Sequence, residues 1–129
     1  MTTSASGPSF QGLGVLPGFA TSKAYAVSGD GSTVVGGSYA ADDNSAQACR
    51  WTAPSGLVKL GSIKDYPYGE AYAVNADGSV IGGTYNFTDL YAAFIWRLNG
   101  GIEALPSSNP NLSANTVQGL SADGTVAAG

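Results

Sequence analysis

Histidine is absent from this sequence of 129 residues, and cysteine occurs once. Without histidine the chain has no Ser-His-Asp or Cys-His arrangement, no histidine acid–base chemistry and few options for zinc. The single cysteine, Cys49, cannot form an internal disulfide, and we expect it to be a small buried residue in a strand. Carboxylates such as Asp65 and Glu70 are not paired for acid–base work, so we predict a protein that is not an enzyme and needs no cofactor.

Charge is also scarce, at 11% of the residues compared with roughly 25% in an average soluble domain. Five basic residues are scattered along a chain with a net charge of −4. Because the neutralisation of phosphates requires clustered Lys and Arg, we expect neither nucleic acid nor a membrane as a partner. The sequence as written has no signal peptide, and no segment approaches the roughly 20 apolar residues that span a bilayer.

The sequence does contain an internal repeat. The segment 24–39 returns about 47 residues later as 71–85, and a third, looser copy lies at 119–129. A period in the forties, carried by short apolar runs and Asp-Gly turns, is typical of propeller blades. No segment of a dozen residues has helical periodicity without an interrupting Gly or Pro. We therefore predict an all-β fold of β-propeller-type, four-stranded blades.

One Asp-Gly pair follows the first run of each repeat. Such a pair tolerates positive φ at two positions, so it predicts a two-residue hairpin turn. Calcium takes six to eight oxygen ligands, and each repeat offers one carboxylate beside a glycine, so we expect no metal site here. The predicted structural turn residues are Asp30, Gly31, Asp77, Gly78, Asp123 and Gly124.

The two tryptophans, Trp51 and Trp96, lie about 45 residues apart in the third run of their repeats. With the two-residue period of a strand, Cys49 shares a face with Trp51, and Phe94 shares one with Trp96 and Leu98. We assign these faces to the core. Stacking of the tryptophans on a sugar is the alternative. The neighbouring arginines fall on different sides of the two tryptophans, which favours the core.

The fourth run of the repeat appears three times, with equivalent leucines at Leu13, Leu60 and Leu105. The order of runs then predicts about three blades' worth of strands in a single repeat domain, with one blade split between the two ends of the sequence. The predicted parts are the end of a split blade at 1–18, blades at 19–65 and 66–110, and the start of a split blade at 111–129.

Three blades are too few for a closed ring, because propellers usually have four to eight. Two resolutions fit: the sequence is a fragment of a longer array, or identical chains close a ring by head-to-tail contact. The expected partner in the second case is the chain itself. A homodimer with about six blades is favoured on ring size, and a trimer would have about nine.

The repeated pattern Ala-Val-Ser/Asn-x-Asp-Gly-Ser-x-Val-x-Gly, followed by Ala-x-x-Trp, a Gly-containing turn and Leu-Gly, resembles the bacterial extracellular repeat family called HAF. Residues 26–36, 48–61, 73–82 and 93–105 carry it. The resemblance implies propeller-like repeats of about 46 residues, an extracellular or cell-surface location and no defined active site. The chain departs from the pattern at Leu105-Pro106, where Leu-Gly is replaced.

Four aromatic residues in predicted connectors are the best candidates for a binding surface, because aromatics there have little structural role. The partner would be a glycan or a protein. The favoured function is a non-enzymatic scaffold or surface-interaction module that assembles as a cyclic homo-oligomer. The alternative is a propeller-type carbohydrate-binding lectin that uses these aromatics. They are Tyr66, Tyr68, Phe87 and Tyr91.

Overall fold

A computed structural model describes residues 10–63, 66–88, 90–106 and 115–129, with Phe87 described for its backbone alone. The all-β prediction is confirmed, since this part of the chain forms ten strands and no helix. It accordingly contains no helix that could span a membrane. The strands are β1 (Thr21–Val27), β2 (Thr33–Tyr39), β3 (Ala46–Thr52), β4 (Gly56–Lys59), β5 (Tyr68–Val74), β6 (Val80–Phe87), β7 (Leu90–Arg97), β8 (Gly101–Ala104), β9 (Gly119–Leu120) and β10 (Ala127–Ala128).

The strands form two four-stranded antiparallel units and a short hairpin. The first unit (β1–β4) and the second unit (β5–β8) each pair their strands in sequence order, and the terminal hairpin is β9 with β10. A single parallel bridge between Ala46 and Tyr68 joins the two units. This order is the one expected for the four runs of each repeat. A closed ring and a number of blades remain predictions.

The first strand of each unit carries the same irregularity. The register with the neighbouring strand shifts between Ala24 and Ala26 in β1, and between Ala71 and Ala73 in β5. In each unit, the carbonyl group of the residue before the shift points at a glycine in the neighbouring strand. It occupies the space that a side chain at that glycine would need. A Cβ added to Gly36 would collide with the carbonyl oxygen of Lys23. The repeat requires glycine here because backbone approaches backbone.

The third copy of the repeat has the same local geometry, although it is loosest in sequence. A Cβ at Gly83 would collide with the carbonyl oxygen of Glu70, and one at Gly129 with that of Thr116. Gly36, Gly83 and Gly129 therefore occupy one position of the repeat. This equivalence aligns the terminal hairpin with the first two strands of each unit.

The main core lies between the two units. From the first unit it contains Val35 and Ala48, and from the second unit Ile81, Phe94 and Trp96. Arg50 extends the contact, with its guanidinium 5.0 Å from the centroid of the Trp96 ring. Trp96 is 7% exposed, as expected for a core residue. The prediction of a core position for Leu98 is wrong, because β7 ends at Arg97 and Leu98 is 55% exposed in the turn that follows.

A second, smaller core joins the second unit to the terminal hairpin. It consists of Ala93, Ile95 and Val117 around Ala73, with Leu105 and Leu120 packed against it. The predicted equivalence of the leucines agrees with their bonding, because the amides of Leu60 and Leu105 donate to Ala48 and Ala93 at 2.9 and 2.8 Å. Each unit thus buries one face against the unit that follows it.

Candidate functional site

The Asp-Gly turns are wider than the predicted two-residue hairpins. The amide of Ser28 donates to the carbonyl of Thr33 at 2.8 Å, which leaves a loop of four residues, 29–32. Only Gly31 has positive φ (74°), because the Asp30 carboxylate accepts the amide of Ser32 at 2.9 Å and the hydroxyl of Ser32 at 2.7 Å. These bonds close the loop through the aspartate side chain, so the aspartate itself keeps an ordinary backbone conformation.

The same loop closure recurs at the other two turns. Asp77 accepts the amide of Ser79 at 2.9 Å, and Asp123 accepts the amide of Thr125 at 3.0 Å. The hydroxyl and amide of Thr125, together with the Ser121 hydroxyl, lower the pKa of Asp123 to about 2. Among the described residues, no three His, Cys, Asp or Glu side chains lie close enough to hold a metal ion. The aspartates bond within their own loops.

The three loops stand in a row, each in contact with the next. The amide of Asp30 donates to the carbonyl of Ala76 at 2.9 Å, and the amide of Ala76 donates to the carbonyl of Ala122 at 3.0 Å. A Cβ placed on Gly78 would lie 2.7 Å from Cβ of Thr33 in the loop before it. We call such a contact between consecutive loops a joint. At this joint, Thr33, which follows the first loop, lies over Gly78 of the second loop.

The second joint repeats this contact, and the first loop lacks it. A Cβ on Gly124 would lie 3.0 Å from Cβ of Val80, which matches Thr33 over Gly78. A Cβ on Gly31 would have no atom of the described chain within 4 Å. Within the described part of the chain, the first loop is therefore open on the side where the other two loops are covered.

The first strands of the two units show the same difference for identical sequences. Ala-Tyr-Ala-Val occurs at 24–27 and at 71–74. In β5, Ala71 is 0% exposed and Val74 is half-buried because the strand packs against β1, β2 and β3. In β1 the equivalent residues are more accessible, since Ala24 is exposed and Val27 is 60% exposed. Both units carry the same apolar segment in their first strand. Within the described chain, only the second unit has a neighbour that covers this segment.

A hollow of about 240 Å³ lies on the corresponding face of the first unit. Four apolar side chains on this face of the first unit line the hollow, and we call them the free face: Val34, Cys49, Trp51 and Leu57. Residues 10–13 of the same chain line the hollow beside them. In the second unit the same register positions are Ile81, Phe94, Trp96 and Ile102, and the first unit packs on them. Burial raises the pKa of Cys49 to about 11, so its thiol stays protonated near neutral pH.

Tyrosines surround one carboxylate at the boundary between the two units. Glu70 accepts hydrogen bonds from the hydroxyls of Tyr25 at 3.0 Å, Tyr39 and Tyr72. Lys23 lies over the Tyr39 ring, with 5.1 Å from its nitrogen to the centroid. Burial, followed by these hydrogen bonds, raises the pKa values of Tyr39 and Tyr72. Glu70 therefore ties two strands of the first unit to the second unit.

Three of the four predicted binding aromatics lie in strands, and Tyr66 lies in a connector as predicted. Tyr68 begins β5, with its ring 6.0 Å from that of Tyr39, and Tyr91 lies in β7 with 40% of its surface exposed. Tyr66 precedes β5 and packs against the main core. The backbone of Phe87 belongs to β6, and its side chain lies outside the described residues. The strands β5 to β7 are longer than predicted, so the expected polar connector at 86–90 is mostly strand.

Two of these aromatics, Tyr68 and Tyr91, lie on either side of the Asn86 side chain. Asn86 pairs with Tyr68 across β5 and β6 and with Tyr91 across β6 and β7, so the three side chains lie in one row on one face. The buried Oδ1 of Asn86 has no hydrogen-bond partner within the described chain. Asn86 is not recognisable from the sequence as a candidate binding residue, because only the strand register brings it between the two tyrosines.

The fold and the repeated joints define an all-β protein built from similar antiparallel units that pack in sequence order. Comparisons of the chain with protein-family models, curated proteins and solved structures found no match. The function of the protein is therefore inferred from the geometry of its units.

Proposed function

We propose that this chain is a non-enzymatic β-propeller-type repeat module that acts as a structural scaffold or surface-interaction domain and assembles as a cyclic homo-oligomer. The observation that carries the proposal is the unequal burial of one sequence. Ala71 is fully buried in β5, while the equivalent Ala24 of β1 is exposed, and Val74 is half-buried while the equivalent Val27 is 60% exposed. A neighbour on β1 would bury its Ala-Tyr-Ala-Val segment as the first unit buries that of β5.

Apolar surface is exposed to water at both sides of the row of units, and its burial would favour association. Val27 at one side and Val126 at the other are 60% and 61% exposed. Removal of apolar surface from water contributes about 25 cal/mol per Å². A contact between the two different sides is heterologous, and it forms a ring when the rotation per chain closes. We propose closure by two chains, with three as the other ring size.

The scaffold role is supported by what the polar groups already bind. The aspartates of the three loops bond to their own loop residues, and Glu70 bonds to three tyrosine hydroxyls. Cys49 is 2% exposed, and its pKa is raised to about 11. Groups committed in this way are poor nucleophiles or bases at neutral pH. The resemblance to extracellular repeats is the ground for proposing a surface location.

Static light scattering over a range of protein concentrations tests this proposal. A closed ring predicts a constant mass of two or three times the 12.9 kDa of one chain. A well-folded species of 12.9 kDa at all concentrations would overturn the assembly.

A lectin is the second candidate, and the row Tyr68, Asn86 and Tyr91 is the observation that favours it. Aromatic rings provide stacking surfaces for a pyranose, and the amide oxygen of Asn86, which has no partner within the described chain, provides an acceptor for a hydroxyl. A glycan array tests this candidate with Tyr91→Ala and with Leu98→Ala, which removes an exposed apolar side chain outside the row. Binding that is lost in the first variant alone would support a lectin, and an array without binding would exclude the tested glycans.

A further inference from the structure

We infer that the terminal hairpin of one copy docks on the free face of the first unit of a second copy and continues the row of loops across the boundary. The inference rests on the proposed assembly, and it adds the two surfaces and their register. The occupant is a second copy of this chain. The geometry of the docking follows from the two joints that one chain already contains.

The pairing of positions comes from the joint between the first and second units. Gly29 and Ala76 hold the same place in their loops, and a Cβ on Gly29 would lie 3.6 Å from Cβ of Ala76. The loop before a joint therefore faces the same position of the loop after it. Across a boundary between copies, the loop before the joint belongs to the terminal hairpin. Ala122 of one copy is then predicted to face Gly29 of the next.

Complementary gaps identify the occupant. Thr33 is 4% exposed over Gly78, and Val80 is half-buried over Gly124. Val126, which holds the same place after the third loop, is 61% exposed, and a Cβ on Gly31 would have no described atom within 4 Å. Within the described chain, Val126 at one side of the row thus has no glycine beneath it, and Gly31 at the other side has no side chain above it. A second copy supplies both.

The strands offer a corresponding fit at the hollow. Val35 of the first unit, which pairs with Ala26, enters the core against the second unit. In the terminal hairpin the matching residue is Ala128, which pairs with Gly119 and is exposed. Its smaller side chain would leave more room at the free face than Val35 leaves in the core. Strand β10 is accordingly the segment that we place over Val34 and Trp51.

A disulfide between copies tests this register. A Cβ–Cβ separation of 3.6 Å at the internal joint lies within the range of roughly 3.5–4.5 Å that disulfides require. A Gly29→Cys chain and an Ala122→Cys chain are mixed in urea, refolded together and oxidised. We expect covalent dimers from the mixture and not from either variant alone. A chain that carries both changes should give a covalent ladder that ends at the number of chains in the ring.

Two controls keep the result interpretable. Gly29→Cys with Ala76→Cys in one chain should form an internal disulfide, which establishes that the joint has the required geometry. Gly100→Cys is the matched control for Gly29→Cys, because it is also an exposed turn glycine without positive φ, and it should not link to Ala122→Cys. The wild-type chain measures the background from Cys49, which is 2% exposed.

The outcomes separate this inference from the proposed function. If light scattering gives a multimer and the internal control forms its disulfide, failure of Gly29→Cys to link to Ala122→Cys overturns the docking surface and leaves the assembly standing. Equal linking by Gly100→Cys also overturns it, because the contact would then be collisional. A monomer without links between copies overturns the assembly and the docking surface together.

Discussion

Tyr25 and Tyr72 hold the same position of the repeat, and their rings contact each other across the boundary between the two units, with centroids 5.0 Å apart and planes at 56°. Both hydroxyls donate to the carboxylate of Glu70. Aromatic pairs in such tilted arrangements are stabilising beyond the area they bury. Residues that recur in the sequence thus meet in space, because each unit packs against the next in the same register.

Replacement of Glu70 by Gln should destabilise the protein. The variant keeps the size of the side chain and removes the negative charge that accepts three tyrosine hydroxyls. Because hydrogen bonds to charged groups contribute about 1.5 to 3 kcal/mol each, we expect the free energy of unfolding to fall by at least that much. Urea unfolding measures the change. Glu103→Gln, an exposed carboxylate in β8, is the matched control and should change little. Equal losses in the two variants would contradict the tyrosine–carboxylate bonding.

Alkaline pH should weaken the fold through its tyrosines. Burial raises the pKa of Tyr85 to about 12, whereas tyrosine in an unfolded chain ionises near pH 10. The native state then retains a proton that the unfolded state loses, so stability is complete below pH 10 and falls between pH 10 and about 12. The urea midpoint should decline above pH 10, and it should decline less steeply in Tyr85→Phe. Parallel pH profiles for the two proteins would contradict this assignment.

A single methyl group at Gly83 should be strongly destabilising. Its Cβ would collide with the backbone oxygen of Glu70 and lie 2.8 Å from a ring carbon of Phe94. Backbone and core must both shift, so we expect Gly83→Ala to cost about 3 kcal/mol or more. Thermal unfolding measures the loss. Gly119→Ala provides the comparison, because Gly119 lies in β9 with no atom of the described chain within 4 Å of the added Cβ. Similar melting temperatures would refute the repeated close approach.

Val27→Asp should dissociate the assembly without unfolding the chain. Val27 is 60% exposed in one chain, so a carboxylate there is solvated in the monomer and buried without a partner in the proposed interface. We expect association to weaken on the order of 100-fold, which corresponds to about 2.7 kcal/mol. Leu98→Asp is the control, since Leu98 is 55% exposed in the turn after β7. If sedimentation shows the same mass for both variants and the wild type, β1 is not at the interface.

The strand order was predictable from the sequence because strand period and turn residues are local signals. The runs around Trp51 and Trp96 became β3 and β7, and the Asp-Gly pairs lie between the expected strands. The form of the turns was not predictable from Asp-Gly alone. Ser32 and its equivalents, two residues beyond each aspartate, bond to the carboxylate and widen the loop to four residues.

The tyrosines around Glu70 were missed because they depend on packing between units. Tyr25, Tyr39 and Tyr72 lie in predicted strands, whereas binding residues are expected in connectors. One available signal was the position shared by Lys23 and Glu70, where two copies of the repeat carry opposite charges beside a tyrosine. The partial burial of Trp51 was equally inaccessible, because both tryptophans fit the core pattern and only Trp96 has a unit packed over it.

A native mass spectrum of the intact protein tests the central proposal most directly, because it counts the chains in each species. Head-to-tail closure predicts one dominant species with two or three copies of the 12.9 kDa chain, unchanged on dilution over a wide range of concentration. A monomer would contradict the account. A ladder of species whose chain number grows with concentration would contradict it as well, because it would show contacts that do not close.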